Sequence, residues 1–280
     1  MATQGYDQPQ TASGSTFIKN GRIKQSLVHW CYAKTWSVEE FIPVAKALGC
    51  TSIELVGTEY YPLLKQHGLE CAIGFLDMQP DMPFDKGFNN PAHHDRAIAA
   101  TKKAIDAAAE HGFHRVITFT GMSGGVSLDE GARNCVEGWK KILPYADSKG
   151  ITLCLEMLNS RDPVEMKGHP GYQGDHVDYC VDMIRKVGSP YLKLLFDVYH
   201  VQIMDGDIIR RIHEIHDLIG HVHTAGNPGR RELDDQQEIN YPPIMKALVD
   251  VGYDGFVAHE FIPTRDPMEG LREAVVLCDV

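Results

Sequence analysis

Four side chains suited to divalent cations stand at the ends of apolar runs: Glu156 in LCLEML, Asp197 in LLFDVYH, His223 in GHVHTAG and Glu260 in VAHEF. Successive members are 41, 26 and 37 residues apart, each about the length of one strand-plus-helix unit. A lone buried acid finds a hydrogen bond, and a lone histidine packs into a core. Three acids converging without a cation repel, and each unpaired buried charge costs several kcal/mol. A divalent ion removes both problems. Three oxygens and one nitrogen suit Mn²⁺, Mg²⁺ or Co²⁺; Zn²⁺ is a further option that usually takes more nitrogen or sulfur. Glu156 and Glu260, on runs separated by two others, can flank a bound molecule and move a proton on it.

Other candidates surround these four. His200 follows Asp197 by three residues, where it can cap the next helix or touch a substrate. Arg230 lies seven residues after His223 in a Gly/Pro loop, and Arg161 follows the run that ends at Glu156. Either guanidinium can grip an anionic or hydroxyl-rich substrate end, or be a solvated loop charge. His221 shares the parity of His223 and is expected one layer deeper, as a packed supporting group. Lys193 raises Schiff-base chemistry. It lies four residues below Asp197, roughly 13 Å at ~3.3 Å per residue, which ranks that reading low. His169, in a long loop, is a further rim candidate.

The elements that must position these residues recur along the chain. Eight short apolar, β-branched runs appear at 26–30, 52–56, 71–75, 115–120, 151–157, 192–197, 219–225 and 256–261. Helical periodicity lies between them. SVEEFIPVAKAL opens with Ser37 and carries Glu40 three residues on, a capping-box pattern. Other helical segments stop at Gly112, Gly150, Gly188 and Gly252, where glycine supplies the left-handed closing residue. The runs are apolar on both faces. This alternation predicts an α/β fold, a (β/α)8 TIM barrel in a single domain, with chemistry at the C-terminal strand ends. A doubly wound sheet would show a Gly-rich phosphate turn after its first strand; HWCYAKTWS stands there instead.

Composition narrows the partners. The chain has 280 residues, 43% of them hydrophobic, with a formal charge of −11. That balance argues against nucleic acid and against an anionic membrane surface, and points to a small-molecule substrate. No apolar run approaches the ~20 residues of a membrane span. Residues 1–16 read as a polar disordered arm ahead of a catalytic barrel at 17–280; a trimmed export signal is the other reading of that arm. The seven cysteines form no CxxC and mostly lie in apolar runs. They read as buried free thiols and favour the cytoplasm. Metal identity and a homo-oligomeric state are left open.

Three stretches together resemble a known family. They are LEMLNSRDP…HPGY (155–172), SPYLKLLFDVYHVQIMDGD (189–207) and IGHVHTAGNPGRRE…EINYPPIMKALVDVGYDGFVAHEFIP (219–263). They resemble the hydroxypyruvate isomerases, within the xylose-isomerase-like sugar isomerases and epimerases. The likeness is close over the C-terminal half and rhythmic over the N-terminal half. It implies a (β/α)8 barrel, a divalent metal on Glu156, Asp197, His223 and Glu260, and acid/base roles for Glu156 and Glu260. Two departures bear on substrate. Hydroxypyruvate isomerases carry Gln where this chain has His223, whereas ketose 3-epimerases of the tagatose/psicose type carry His there and also the histidine that is His200. The first run also lacks the family's Asn-containing strand end. The expected reaction is a metal-assisted proton shift between adjacent carbons of a hydroxy-carbonyl compound, through an enediolate. The alternatives are a ketose 3-epimerase, which implies activity on a longer ketose, a keto-inositol dehydratase, or a silent sugar-binding barrel. Apurinic-site nucleases of the same fold need a His-rich zinc cluster and basic faces, which this chain lacks.

Overall fold

The computed structural model describes residues 17–280; the segment 1–16, expected as a disordered arm, lies outside them. Seven parallel strands form one curled sheet: β1 (Lys24–Val28), β2 (Ser52–Glu54), β3 (Arg115–Thr118), β4 (Thr152–Glu156), β5 (Leu192–Asp197), β6 (Ile219–Thr224) and β7 (Phe256–His259). Their order is β2-β1-β7-β6-β5-β4-β3. Nine α-helices among the described residues cover it: α1 (Val38–Leu48), α2 (Tyr61–Gln66), α3 (His94–Glu110), α4 (Leu128–Lys149), α5 (Val177–Val187), α6 (Val198–Met204), α7 (Ile208–Ile215), α8 (Tyr241–Asp250) and α9 (Pro267–Leu277). This is the α/β barrel the alternation predicts.

The eighth position is filled differently from expectation. The run at 71–75 makes only isolated parallel bridges, Ser52 to Glu70 on one side and Gly74 to Val116 on the other. Ile53 N–H donates to the Glu70 carbonyl (3.1 Å), and Gly74 N–H donates to that of Arg115 (2.9 Å). The segment therefore seals the gap between β2 and β3 without forming a ladder. The cause lies in β2. Leu55 has φ 54°, a left-handed backbone that a branched side chain rarely adopts, so the extended conformation ends at Glu54.

Local signals hold elsewhere. Ser37 N–H donates to Glu40 Oε2 (2.9 Å) and Glu40 N–H to Ser37 Oγ (3.3 Å), the reciprocal cap of α1. α4 and α5 end on Gly150 and Gly188 in left-handed backbone. The outward-facing strand residues Leu27, Ile53, Leu153, Leu155, Leu194, Phe196, Val222 and Val257 are buried under the helices. All seven cysteines are free, six of them buried. No helix among the described residues is long and apolar enough to cross a membrane.

Candidate metal centre

Each of the four residues leaves its strand at the same end of the barrel. Glu156 is the last residue of β4 and Asp197 the last of β5. Asp197 faces His223 in the β5–β6 register. Glu260 lies one residue past β7, held there by its N–H donating to the Thr224 carbonyl (2.9 Å). The β5–β6 register slips between Leu194 and Leu195, skipping Gly220. A Cβ on Gly220 would lie 2.6 Å from Lys193 Cβ, so glycine permits the slip that sets His221 and His223 on their rows.

One ligand atom from each of Glu156, Asp197, His223 and Glu260 lies within 4.8 Å of all the others. Two atoms on opposite sides of one ion stand at most about twice a bond length apart, roughly 4–5 Å for bonds of ~2.0–2.6 Å. All four residues are buried. Glu156 Oε1 and His223 Nδ1 make no hydrogen bond of normal geometry, although Nδ1 stands 2.8 Å from Glu260 Oε2 and 3.5 Å from Glu156 Oε1. Buried polar atoms without partners are rare and require a cause. Three carboxylates and one imidazole crowded this closely, two of their atoms without a well-formed hydrogen bond, fit a divalent cation.

The surrounding contacts explain the protonation states. Asp197 Oδ1 caps α6, accepting from Tyr199 N–H (2.8 Å) and His200 N–H (3.2 Å). Its Oδ2 lies 3.8 Å from an Arg230 nitrogen. Burial pushes Asp197 up to about 6, with Arg230 opposing and Glu260 adding to the rise. Burial likewise pushes Glu156 up to about 7, His223 opposing. Burial acts in the same sense on Glu260, but Arg230 and His223 outweigh it and hold that carboxyl well below the usual range. Burial disfavours charge on His223, yet Glu260, Glu156 and Glu54 outweigh it and hold the ring well above its ordinary value. In the metal-free protein His223 and Arg230 are therefore the cations that balance the acids.

Arg230 is buried, not solvated. One of its nitrogens donates to Glu260 Oε2 (2.6 Å) and another to the Met166 carbonyl (2.7 Å). Its guanidinium lies over the rings of Trp30 and Tyr199, 5.1 and 5.9 Å from their centres. Glycine and proline turn the chain between His223 and Arg230, and paired backbone hydrogen bonds between Gly226 and Arg231 close the loop (2.7 and 3.1 Å).

A cavity of about 290 Å³ opens beside this cluster, lined by Trp30, Glu156, His169, Arg230, Glu260 and a largely apolar wall that includes Leu55, Phe75, Met78, Phe84 and Leu158. Two other candidates lie elsewhere. His200 is buried behind Asp197, with Nε2 3.6 Å from Asp197 Oδ2. Its Nδ1 accepts from Asn159 N–H (3.0 Å), which fixes the proton on Nε2. Burial keeps this ring neutral, well below its ordinary value. Arg161 is exposed and donates to the Ile203 carbonyl (2.9 Å), apart from the cavity. Lys193 binds the Asp217 carbonyl. It sits four residues before Asp197 on β5, remote from the cluster, so no Schiff-base site forms there.

Sequence reasoning passes over two residues. Trp30 Nε1–H donates to Glu260 Oε1 (2.7 Å). Glu54, fully buried at the end of β2, accepts from His221 Nε2 (2.7 Å) and His223 Nε2 (2.9 Å) on the same oxygen. Burial would raise Glu54, but the two histidines outweigh it and bring it down to about 2.

A family described as the xylose isomerase-like TIM barrel matches residues 42–277. The chain belongs to that family. It is 41% identical over 130 residues to the human protein named putative hydroxypyruvate isomerase, covering 46% of this chain and 44% of that one. It is 30% identical over 173 residues to the 2-oxo-tetronate isomerase of Cupriavidus necator, covering 60% of this chain and 63% of that one. The matched stretches thus span less than two thirds of either relative. Among solved structures, the 3-keto-D-glucoside 4-epimerase of E. coli superposes with a TM-score of 0.75 at 17% identity, covering 91% of this chain and 98% of that one. That likeness is one of fold.

Proposed function

We propose that the chain, through its barrel of residues 17–280, is a metal-dependent isomerase that moves a proton between adjacent carbons of a small 2-hydroxy carbonyl compound, with hydroxypyruvate as the reference substrate. The convergence of four buried ligand atoms, two of them from residues that line a cavity, Glu156 and Glu260, carries this reading. The names of the two relatives agree with it.

Glu156, Asp197, His223 and Glu260 would hold the ion, Mn²⁺, Mg²⁺ or Co²⁺ by donor chemistry, with Zn²⁺ a further option. When bound, it supplies positive charge to substrate oxygens as a proton leaves carbon. Glu156 and Glu260 both line the cavity, so each can present a carboxylate oxygen to a bound substrate. One takes the proton from the hydroxyl-bearing carbon, and the other returns a proton to the former carbonyl carbon; the hydroxyl proton passes to the former carbonyl oxygen, so the hydroxyl-bearing carbon ends as the aldehyde. Trp30 and Arg230 fix the Glu260 carboxylate in orientation, while Glu156 keeps an oxygen without a partner and is free to carry the proton. Arg230 lines the cavity and is assigned to the substrate's anionic end. His200, set behind Asp197, steadies that ligand.

The test is conversion of hydroxypyruvate to its aldehyde isomer in D₂O with Mn²⁺. Wild type should turn over and place solvent deuterium on carbon. Glu260→Gln keeps an oxygen ligand but no base, and should lower kcat by the 10²–10⁴-fold of a lost acid/base group. Undiminished exchange in Glu260→Gln would remove its role.

The second reading is a ketose 3-epimerase, favoured by the imidazole of His223. A ketohexose brings four or more hydroxyls into the cavity, and each buried hydroxyl needs a partner. The lining is largely apolar, through Leu55, Phe75, Met78 and Phe84, and outside the centre and Arg230 its charged or amide-bearing side chains and imidazole are those of Gln79, Asp81 and His169. This supports the shorter substrate. A panel of ketoses alongside hydroxypyruvate separates the two.

A further inference from the structure

His221, His223 and Glu54 form a second buried cluster below the first. Glu54 ends β2, in register with Val28 of β1, and reaches across the barrel interior to β6. A single oxygen, Oε1, receives both Nε2 atoms, at 2.7 and 2.9 Å. None of the three side chains is exposed to solvent. A carboxylate at Nε2 fixes a proton there, and the lone pair of a neutral imidazole is then on Nδ1. For His223, Nδ1 is the atom that faces the four-residue centre, 2.8 Å from Glu260 Oε2 and 3.5 Å from Glu156 Oε1, without a hydrogen bond of normal geometry to either. His221 stands edge-on to His223, with ring centres 4.9 Å apart, and its bond to the shared oxygen keeps that oxygen from rotating away.

We propose that Glu54, braced by His221, is the positioning residue that presents Nδ1 of His223 to the divalent ion. This rests on the metal reading of the four-residue centre. Glu54 touches neither cavity nor ion; it selects which ring nitrogen faces the ion and in what orientation. Partners of this kind typically change metal affinity 10–100-fold. The competing arrangement is an ion within Glu54, His221 and His223 themselves, bound by the Nε2 atoms. The two arrangements use opposite nitrogens of His223.

Mn²⁺ affinity measured by calorimetry on wild type, Glu54→Gln, His223→Gln and the double variant tests the proposal. Glu54→Gln should weaken Mn²⁺ binding about 10–100-fold in the wild-type background. In the His223→Gln background it should change affinity little, because an amide ligand has no ring to orient and coupled residues are not additive. A purely structural role predicts the same loss in both backgrounds, and that result overturns the proposal, as does unchanged affinity in Glu54→Gln. If wild type binds no Mn²⁺, the metal reading itself fails; that outcome is distinct from a wild type and a Glu54→Gln that bind alike. Should the variants not fold, two-bond ¹H–¹⁵N spectra of wild type decide. The proposal expects Nε2 of His223 protonated and Nδ1 shifting on addition of Mg²⁺; a shift at Nε2 instead overturns it.

Discussion

At the scale of single residues, the acids of this centre are held in a state that metal binding must undo. Glu156 at about 7 and Asp197 at about 6 are raised chiefly by burial, and His223 carries a proton favoured by three carboxylates. Ligands must be deprotonated to bind a metal, so binding releases protons. The apparent affinity for Mn²⁺ should rise as pH climbs from 5 to 8, with net proton release in buffers of differing ionisation enthalpy. An affinity independent of pH across that window would contradict these protonation states. The sign for stability follows. Raised folded-state values for Glu156, Asp197 and His223 stabilise the metal-free protein at low pH. For the two acids that stability is lost between their unfolded values and about 7 and about 6. Glu54 acts oppositely, but its window lies between about 2 and the ordinary carboxylate range. His169, His200, His221 and His259, held below the ordinary histidine range by burial, act against the two acids and add stability as pH rises toward that range. Saturating Mn²⁺ should raise Tm more at pH 7.5 than at pH 5. Most of this centre is legible in the sequence, because its four polar residues close successive apolar runs at the spacing of one strand-plus-helix unit, which puts them on one rim. Glu54 carries the same signal, a lone acid inside SIELV. It is passed over because its partners, His221 and His223, lie 167 and 169 residues away. Trp30 gives no signal, since an aromatic at a strand end usually packs.

At the scale of elements, the centre depends on backbone details that composition does not reveal. The bulge at Gly220 fixes the rows of both β6 histidines. Gly220→Ala places a methyl 2.6 Å from Lys193 Cβ and 2.9 Å from Cys154 Sγ, so β6 must shift. The variant should lose about 1–3 kcal/mol of unfolding free energy, the usual overpacking cost, and should bind Mn²⁺ more weakly. Urea titration and calorimetry check the two effects, and retention of wild-type values would return Gly220 to a neutral role. A capping box on α1 and closing glycines elsewhere make α1, α3, α4, α5 and α8 readable. The short α2, α6 and α7 are not, because six to eight residues give too few turns for periodicity to show. The run 71–75 looks like a strand by composition, yet Leu55 turns β2 out of register beside it. A left-handed leucine cannot be read from residue type.

At the scale of the whole molecule, a parallel barrel makes distance along the chain irrelevant at its rim. Glu156 and Glu260 are 104 residues apart, yet both line one cavity. The strand order that achieves this is inferred from alternation alone, since right-handed helical crossovers between parallel strands leave little choice. The contents of the cavity are less legible. Its apolar wall comes from Leu55, Phe75, Met78 and Phe84, in loops whose paths the sequence does not dictate. Those loops bear on substrate, which is why the longer ketose implied by His223 and the shorter compound favoured by the wall diverge. The measurement closest to the central claim is anomalous diffraction from crystals grown with Mn²⁺. One peak should lie within ~2.0–2.6 Å of oxygens from Glu156, Asp197 and Glu260 and of Nδ1 of His223. A peak among Glu54, His221 and His223, or none at the rim under saturating Mn²⁺, would contradict it.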